Sequence, residues 1–197
     1  MLAKNFLFAP LFAVSITSAA TIPLQYNFEL LTVAPTTEIH FSGFQAASGR
    51  IALDLEDQDA VCGTESDNLA TFSLVAGSLW LYQKPKLLQQ LYVDRSAAGQ
   101  GRLGYTTSPQ ESPARVEKTG WRLDSRGNLR FRNSGFIACP GTTEDGPWTI
   151  WVDVGTDQPG GGTGCVPLEA RTITLANPNS CEYTDGTTAQ NQPPAWH

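Results

Sequence analysis

Carboxylates are the side chains of this chain that best match a known catalytic chemistry. Hydrolysis of a glycosidic bond needs only two acids, held about 5–10 Å apart around the bond. One cluster of acids precedes Cys62 and others follow strand-like runs: Asp54, Glu56, Asp57 and Asp59 in the cluster, then Asp94, Asp145 and Asp153. Spacing in sequence does not show that any two face each other, and the cluster lacks the calcium-loop pattern D-x-D-x-[DN]-G. We interpret the cluster as a solvated acidic turn and predict no metal site.

His40 is the one histidine expected inside the folded part of the chain, because His197 is the last residue. A Ser-His-Asp hydrolase would have to use it, yet the sequence has no G-x-S-x-G nucleophile elbow. Acid–base catalysis by two histidines is equally unsupported. Since His40 lies at an alternating position between Ile39 and Phe41, we predict a histidine on the solvent face of a strand.

Aromatic residues give the clearest binding hypothesis, because an indole can stack on the C–H face of a sugar ring. The candidates for a glycan-binding platform are Trp80, Tyr82 and Trp148. Trp148 and Trp151 have odd spacing, so at most one of them points outward from a regular strand. We expect Trp80 or Trp148 to be exposed and the other large aromatics to be buried.

Basic residues are concentrated in one part of the sequence, with eight of them between residues 95 and 132. Arg122, Arg130 and Arg132 alternate there with apolar residues and therefore share the solvent face of one predicted hairpin. This face would suit an anionic polymer. It would equally be the polar face of any amphipathic hairpin, which is the interpretation we favour.

The elements that must position these side chains are strands. Apolar residues alternate between short breaks rich in Gly, Asn and Asp, which is typical of β-hairpins. Residues 71–82 and 121–132 share one pattern, and a weaker third copy begins at Phe28 with Ile39-His40-Phe41 in its second strand. Repeats on this scale match the lobes of a threefold barrel. We predict an all-β chain, a β-trefoil-like barrel with pseudo-threefold repeats, with a β-sandwich or jelly roll as the alternative.

The two clear copies of the repeat also predict the core, since residues at matching positions should face inward. The predicted core residues are Phe72, Leu74, Leu79, Leu81, Trp121, Leu123, Leu129 and Phe131.

The start of the chain has the features of a secretory signal peptide, with Lys4, an apolar run over Phe6–Ile16 and small residues at Ser18–Ala20. Cleavage after residue 20 leaves one domain over 21–184 and a disordered tail over 185–197. No later run approaches the ~20 apolar residues of a membrane span. The mature chain keeps 12 basic and 19 acidic residues, a formal charge of −7, which argues against nucleic acid as its main partner.

The four cysteines are Cys62, Cys139, Cys165 and Cys181. An even number of cysteines in an exported chain predicts two disulfides, and zinc is disfavoured because there is no C-x-x-C and histidine is scarce. Three connectivities exist. Cys165–Cys181 closes a loop of ordinary length, which leaves Cys62–Cys139, and we predict this pairing.

The segment Val93–Thr107, VDRSAAGQGRLGYTT, combines an Asp-Arg pair with glycines at 99, 101 and 104. Glycine allows positive φ and close backbone approach, while Asp and Arg offer hydrogen bonds that restrain a loop. We predict that Asp94 and Arg95 anchor this loop through the backbone or through each other. The glycines spell G-x-G-x-x-G but open no helix of a βαβ unit, so we predict no dinucleotide and no other cofactor.

This segment and three later blocks resemble a known family. The later blocks are Gly120–Pro140, WTIWVDVG at Trp148–Gly155 and NPNSCEYT at Asn177–Thr184. Together they resemble the PhiA-like cell-wall proteins of filamentous fungi, which act in phialide and conidium development and include IgE-binding mould antigens. The resemblance covers most of the chain beyond residue 60. It implies secretion to the fungal wall and medium, and it supplies no catalytic residues.

The function that we expect is a secreted, non-enzymatic cell-wall protein contributing to wall integrity and asexual development. A lectin-like module that binds a wall glycan is the second hypothesis, and a small carboxylate-dependent glycosidase is the third. The expected partners are a cell-wall polysaccharide or wall proteins, with no nucleic acid and no membrane. An exposed aromatic beside polar side chains would favour the lectin, and two acids facing each other in a cleft would favour the glycosidase.

Overall fold

The computed structural model describes residues 25–107, 113–143 and 146–185. The predicted signal peptide and its cleavage site, Asp145, and the predicted tail beyond Asp185 lie outside the described residues. No helix of the described residues has the length and apolar character that crossing a membrane requires.

Fourteen strands and one short 3-10 turn, Pro159–Gly161, make up the described structure. The strands are β1 Tyr26–Val33, β2 Gln45–Ala47, β3 Arg50–Leu53, β4 Val61–Cys62, β5 Phe72–Val75, β6 Ser78–Leu81, β7 Gln89–Asp94, β8 Arg102–Thr107, β9 Trp121–Leu123, β10 Asn128–Phe131, β11 Phe136–Cys139, β12 Trp148–Val152, β13 Val166–Thr174 and β14 Cys181–Glu182. The all-β class predicted from the sequence is confirmed.

Twelve of the strands belong to one antiparallel sheet, in the order β1-β5-β6-β7-β8-β3-β12-β11-β13-β10-β9, with β2 beside β3. Two further pairings, β1 with β13 and β8 with β12, link strands that are distant in this order. The first strand of this order, β1, therefore also pairs with β13, near the other end of the order. The remaining strands, β4 and β14, pair only with each other.

Both clear copies of the sequence repeat form hairpins, β5–β6 and β9–β10. The prediction of a third copy of the repeat is wrong. Ile39, His40 and Phe41 lie in a turn after β1, not in a strand, and β1 pairs with β13 and β5 instead. The threefold trefoil arrangement therefore stays a prediction, and the sandwich or jelly-roll alternative is compatible with these pairings.

The predicted core is buried almost completely. Seven of the eight predicted residues are 9% exposed or less, and the eighth, Leu123, is half-buried and packs against the core from its edge. The indole of Trp121 lies 4.9 Å from the ring of Phe131 and 6.4 Å from the ring of Phe136. The apolar residues of both hairpins belong to one hydrophobic core, as their alternating patterns predict.

All four cysteines form disulfides, but the predicted pairing is wrong. The bonds are Cys62–Cys181 and Cys139–Cys165. Cys62 lies directly opposite Cys181 in the β4–β14 pair. Cys139 follows Ala138, which opposes Val166, so the antiparallel register brings Cys139 to Cys165. Strand neighbours, and not loop length, decided the connectivity.

Candidate functional site

A row of four polar residues and one tryptophan crosses the face of the sheet opposite the core, the outer face, and two of its members, Ser73 and Thr106, are buried. The strand registers align Asn27, Ser73, Trp80, Gln90 and Thr106 across β1, β5, β6, β7 and β8. Directly opposed residues share one face of a sheet, and the alternate residues, such as Phe72 and Leu81, point into the core. Trp80 is the aromatic member of this row and remains half-buried.

The structure separates the three aromatics predicted to bind glycan. Trp80 keeps part of its surface accessible on the outer face, whereas Tyr82 is 5% exposed and Trp148 is 8% exposed. Trp148 packs in the hydrophobic core, because its position in β12 faces inward while Trp151, three residues on, is half-buried. Tyr82 and Trp148 therefore do not offer a ring on which a sugar could stack.

A polar pocket adjoins this row where three strands meet. Tyr92 on β7, Gly104 on β8 and Arg50 on β3 are aligned by register, and Arg102 lies on the same face of β8 two residues before Gly104. We call this feature, of about 240 Å³, the Gly104 pocket, and we define it by these four residues. Burial raises the pKa of Tyr92, so its phenol stays protonated and able to donate.

Glycine is required at the floor of the Gly104 pocket. A Cβ at position 104 would lie 2.7 Å from the Tyr92 Oη atom and 2.9 Å from the Gly49 carbonyl oxygen. The Gly49 oxygen accepts from the backbone N–H of Tyr105, at 3.1 Å. Ser48 and Gly49 both have positive φ and form the two-residue turn of the β2–β3 hairpin, which places Arg50 at the pocket.

Arg50 and Arg102 are exposed, and neither forms an ion pair with a carboxylate among the described residues. Desolvation and, next, the positive charge of Arg102 lower the pKa of Arg50. The Arg102 guanidinium lies 6.0 Å from the ring centroid of Trp151, its register partner on β12. This cation–π contact holds one of the two positive charges at the pocket.

The loop between β7 and β8 is held by the contacts predicted for Asp94. Its Oδ1 accepts from Ser96 N–H at 3.0 Å, and its carbonyl oxygen accepts from Gly101 N–H at 2.8 Å. Arg95 behaves differently, because its guanidinium reaches Glu117 at 3.6 Å and not Asp94. Asp94 also lies opposite Arg102 in the register, yet the two side chains form no ion pair within 4 Å.

The larger cleft, of about 480 Å³, has two acids in its lining, Asp153 and Glu169. Glu169 accepts from the Arg130 guanidinium, whose Nε also donates to Asp124 at 3.1 Å. The backbone N–H of Asn128 is the largest of the contacts that lower the pKa of Asp124 to about 2. One arginine thus ties two carboxylates into a structural network.

The hairpin arginines, Arg122, Arg130 and Arg132, are all engaged. Arg132 donates to Glu117, and Arg122 donates to the Arg132 carbonyl oxygen at 2.7 Å and to the Asn133 side chain at 2.7 Å. Of the two interpretations that the sequence left open, the polar face of an ordinary hairpin accounts for these contacts.

The acidic cluster before Cys62 is an exposed turn, as predicted. Asp54, Glu56, Asp57 and Asp59 are all exposed, and Asp57 accepts from the backbone N–H of Asp59 at 2.9 Å. No three metal-ligating side chains come together within the part of the chain that the structure describes. His40 is half-buried in its turn, where its Nδ1 accepts from Ala34 N–H at 3.3 Å and its ring stacks on the exposed Phe41.

Sequence reasoning missed the Gly104 pocket. Tyr92 and Arg50 lie outside the blocks that drew attention, and they meet only because β7, β8 and β3 are neighbours. The sequence did contain one indication of the pocket. Arg102 and Gly104 are two residues apart on one strand, so a positive charge and a position without a side chain lie on the same face.

A family model of PhiA-like secreted proteins matches residues 28–184. The chain belongs to the PhiA-like secreted protein family. It is 38% identical over 182 residues to the cell wall protein phiA of Aspergillus fumigatus, with 92% of this chain and 98% of that protein covered. The Aspergillus niger relative of the same name is 39% identical over 183 residues, with 92% and 97% covered. The Emericella nidulans relative is 38% identical over 173 residues, with 87% and 93% covered.

No solved structure matches the chain significantly. Membership of the PhiA-like family confirms the resemblance stated from the sequence. The family description and the names of these relatives support the secreted, cell-wall localisation that the sequence predicts. Within the family match, Val93–Thr107 supplies part of β7, the anchored loop and all of β8, and therefore the floor of the Gly104 pocket.

Proposed function

We propose that this PhiA-like protein is a non-catalytic component of the fungal cell wall, which contributes to wall integrity and to asexual structures such as phialides and conidia. The observation that carries the proposal is similarity over almost the full length to proteins named as cell wall proteins. The developmental role is what the resemblance to this family implies.

In the larger cleft, the contacts of the carboxylates support a non-catalytic role. Glu169, in the larger cleft, is neutralised by Arg130, which also holds Asp124. A glycosidase needs one carboxyl group that can give up a proton to the leaving oxygen and a second that stays charged. In the larger cleft the Glu169 carboxylate is instead engaged in an ion pair with Arg130.

The two disulfides suit a protein that persists outside the cell. In the chain-entropy model, a loop of 119 residues closed by Cys62–Cys181 stabilises the fold by about 5 kcal/mol. The 26-residue separation of Cys139–Cys165 corresponds to about 3.5 kcal/mol. Cys62–Cys181 joins the paired strands β4 and β14, and Cys139–Cys165 joins β11 to the residue that precedes β13.

The wall proposal is tested by complementation. An Emericella nidulans strain lacking its own relative should yield fewer conidia and be more sensitive to a wall-binding dye, and secretion of this chain should restore both. The purified protein should release no reducing ends from chitin, β-glucan or mannan. Restoration that is lost in an Asp153→Asn variant, together with release of reducing ends by the unmodified protein, would contradict the non-catalytic role.

A lectin-like function is the second candidate, and the outer face favours it. Trp80 stands there in register with Gln90, and amide side chains beside an accessible indole are suited to holding a sugar. Pull-down of the protein on chitin, β-glucan and mannan tests this candidate. We expect the protein to be retained on one of these polymers, and a Trp80→Ala variant with an unchanged melting temperature to be retained less. Equal retention of the two proteins would show that Trp80 does not bind the polymer.

A further inference from the structure

We propose that the Gly104 pocket binds the carboxylate or phosphate group of an acidic polysaccharide, with Arg50 and Arg102 as the anion-binding side chains. This proposal rests on the proposed function in one respect: a protein of the cell wall would encounter such a polymer. The anion is the shared chemistry, and a uronic acid or a phosphorylated sugar would each supply it.

The charge distribution is the first argument. The mature chain is acidic, with a formal charge of −7, yet two arginines line one small pocket with no carboxylate ion pair among the described residues. Like charges held close together on a sheet face are destabilising. An oxyanion between Arg50 and Arg102 would remove this repulsion and accept hydrogen bonds from both guanidinium groups.

Gly104 allows the Tyr92 side chain to reach the floor of the pocket. A Cβ at position 104 would lie 2.7 Å from the Tyr92 Oη atom, so only glycine leaves room for that hydroxyl beside β8. That hydroxyl is a protonated donor at the edge of the same pocket as the two guanidinium groups. A pocket of about 240 Å³ is smaller than the ~300–1,000 Å³ typical of sites that enclose a whole drug-sized ligand. It therefore suits one charged group and its sugar ring.

The orientation of the site is fixed from two sides. Trp151 packs against the Arg102 guanidinium, and the β2–β3 turn places Arg50 directly after Gly49, whose carbonyl oxygen is bound to β8. Preorganised donors bind with less loss of side-chain entropy than free ones. Neither guanidinium group has an acid within ion-pair distance in the part of the chain that the structure describes.

The outer face gives the rest of a polymer a path. Gln90 lies two residues before Tyr92 on β7 and opposes Trp80 on β6, so an amide and a half-buried indole continue the face beyond the pocket. A saccharide anchored by its anion at Arg50 and Arg102 would extend over these neutral groups. The anion would then supply most of the affinity, and the neutral groups would set the direction of the chain.

Calorimetric titration of the purified mature protein tests the site. The probes are trigalacturonic acid for the carboxylate, mannose 6-phosphate for the phosphate and laminaritriose as the neutral saccharide. We expect at least one acidic probe to bind and laminaritriose not to bind. Arg50→Gln and Arg102→Gln should each weaken binding of that probe about tenfold or more, because each removes a charge-assisted hydrogen bond.

Arg126→Gln is the matched control. Arg126 is exposed in the β9–β10 turn, its side chain forms no ion pair among the described residues, and its loss changes the net charge equally. We expect the Arg126→Gln variant to bind the same acidic probe with an affinity within about twofold of that of the unmodified protein. Arg102→Lys, which keeps the charge but not the planar fork, should lose affinity to an intermediate degree and keeps the test open if Arg102→Gln does not fold.

Three results would overturn the proposal: no binding of either acidic probe, equal weakening by Arg126→Gln, or binding of laminaritriose as tight as that of the acids. Binding of one acid only would identify the source of the anion. The titration uses free saccharides and purified protein, so its failure would leave the complementation result, and with it the wall function, standing.

Discussion

Two regions of this protein carry arginines on strand surfaces, and the two groups of arginines differ in whether they form ion pairs with carboxylates. In the β9–β10 hairpin, Arg130 and Arg132 are held by acids of neighbouring segments, Asp124 and Glu169 for the first and Glu117 for the second. In the Gly104 pocket, Arg50 and Arg102 have no such acid among the described residues. The same residue type therefore serves the fold in one region and is available to a ligand in the other.

The difference lies in what positions each region. The hairpin turn is organised by side chains, since Asp124 accepts from the backbone N–H groups of Arg126 and Asn128, both at 2.9 Å. The pocket and the loop before β8 depend on close backbone approach at glycines, namely Gly104 and Gly101. We therefore expect loss of Arg130 to destabilise the first region, and a side chain at Gly101 to destabilise the second.

The largest effect that we predict is that of Gly101→Ala on the pocket side. Gly101 has a φ of 90°, and a Cβ there would lie 2.0 Å from the Val152 carbonyl oxygen. Strain and overpacking together should lower the free energy of unfolding by about 3 kcal/mol or more. Gly155→Ala is the control, with a φ of 88° and no atom within 4 Å of its Cβ. If urea unfolding shows that the two variants lose the same free energy of unfolding, the contact with the Val152 carbonyl oxygen does not explain the effect of Gly101→Ala.

Arg130→Met should have the next largest effect, on the hairpin side. It leaves Asp124 and Glu169 without their shared cation while keeping most of the side-chain volume. Loss of charge-assisted hydrogen bonds should lower the free energy of unfolding by about 1–3 kcal/mol. Arg126→Met, in the same hairpin turn, should change it by less than about 0.5 kcal/mol. Thermal and urea unfolding of both variants give the comparison, and a match between them would mean that Arg130 is not structural.

Asp124 should make the stability of the hairpin depend on pH in the acid range. Its pKa is about 2 in the fold against an ordinary 3.8, so its contribution is complete above about pH 5 and is lost progressively as the pH falls through 3.8 toward 2. Asp124→Asn should be less stable than the unmodified protein at pH 7, and the gap should narrow between pH 4 and pH 2. Urea unfolding across this range measures the gap, and a gap that is constant with pH would contradict the lowered pKa.

The smallest predicted effect is that of the pocket arginines on stability. Arg50→Gln and Arg102→Gln should each stay within about 0.5 kcal/mol of the unmodified protein, because no ion pair among the described residues is broken and the relief of one like-charge contact offsets the loss of the Arg102–Trp151 cation–π contact. A loss as large as that expected for Arg130→Met would place Arg50 or Arg102 among the structural residues and remove the contrast between the two regions.

Period-2 alternation allowed much of the fold to be predicted. It located both clear hairpins and seven buried core residues, because hydrophobic burial acts locally on each strand. The alternation failed at Ile39–Phe41, where positive φ at Phe41 turns the chain and leaves its ring 65% exposed. It also could not assign Trp148, whose position three residues from Trp151 leaves open which of the two faces inward.

Features that depend on long-range pairing could not be predicted. Cys62 meets Cys181 because β4 and β14 pair across 119 residues, and no local pattern in the sequence encodes this neighbour. The Gly104 pocket has the same origin, since Arg50 and Tyr92 meet on either side of β8. Local anchoring of the loop by Asp94, in contrast, followed from the residue types alone.

The contrast between the two arginine groups is the central claim, and a single titration of the unmodified protein tests it most directly. The Nε–Hε resonances of the arginines are followed by NMR while trigalacturonic acid, and then mannose 6-phosphate, is added. We predict saturable shifts of Arg50 and Arg102 with at least one of these acids, while Arg130 and Arg132 stay in place. Larger shifts at the hairpin arginines, or none at Arg50 and Arg102 with either acid, would contradict the account.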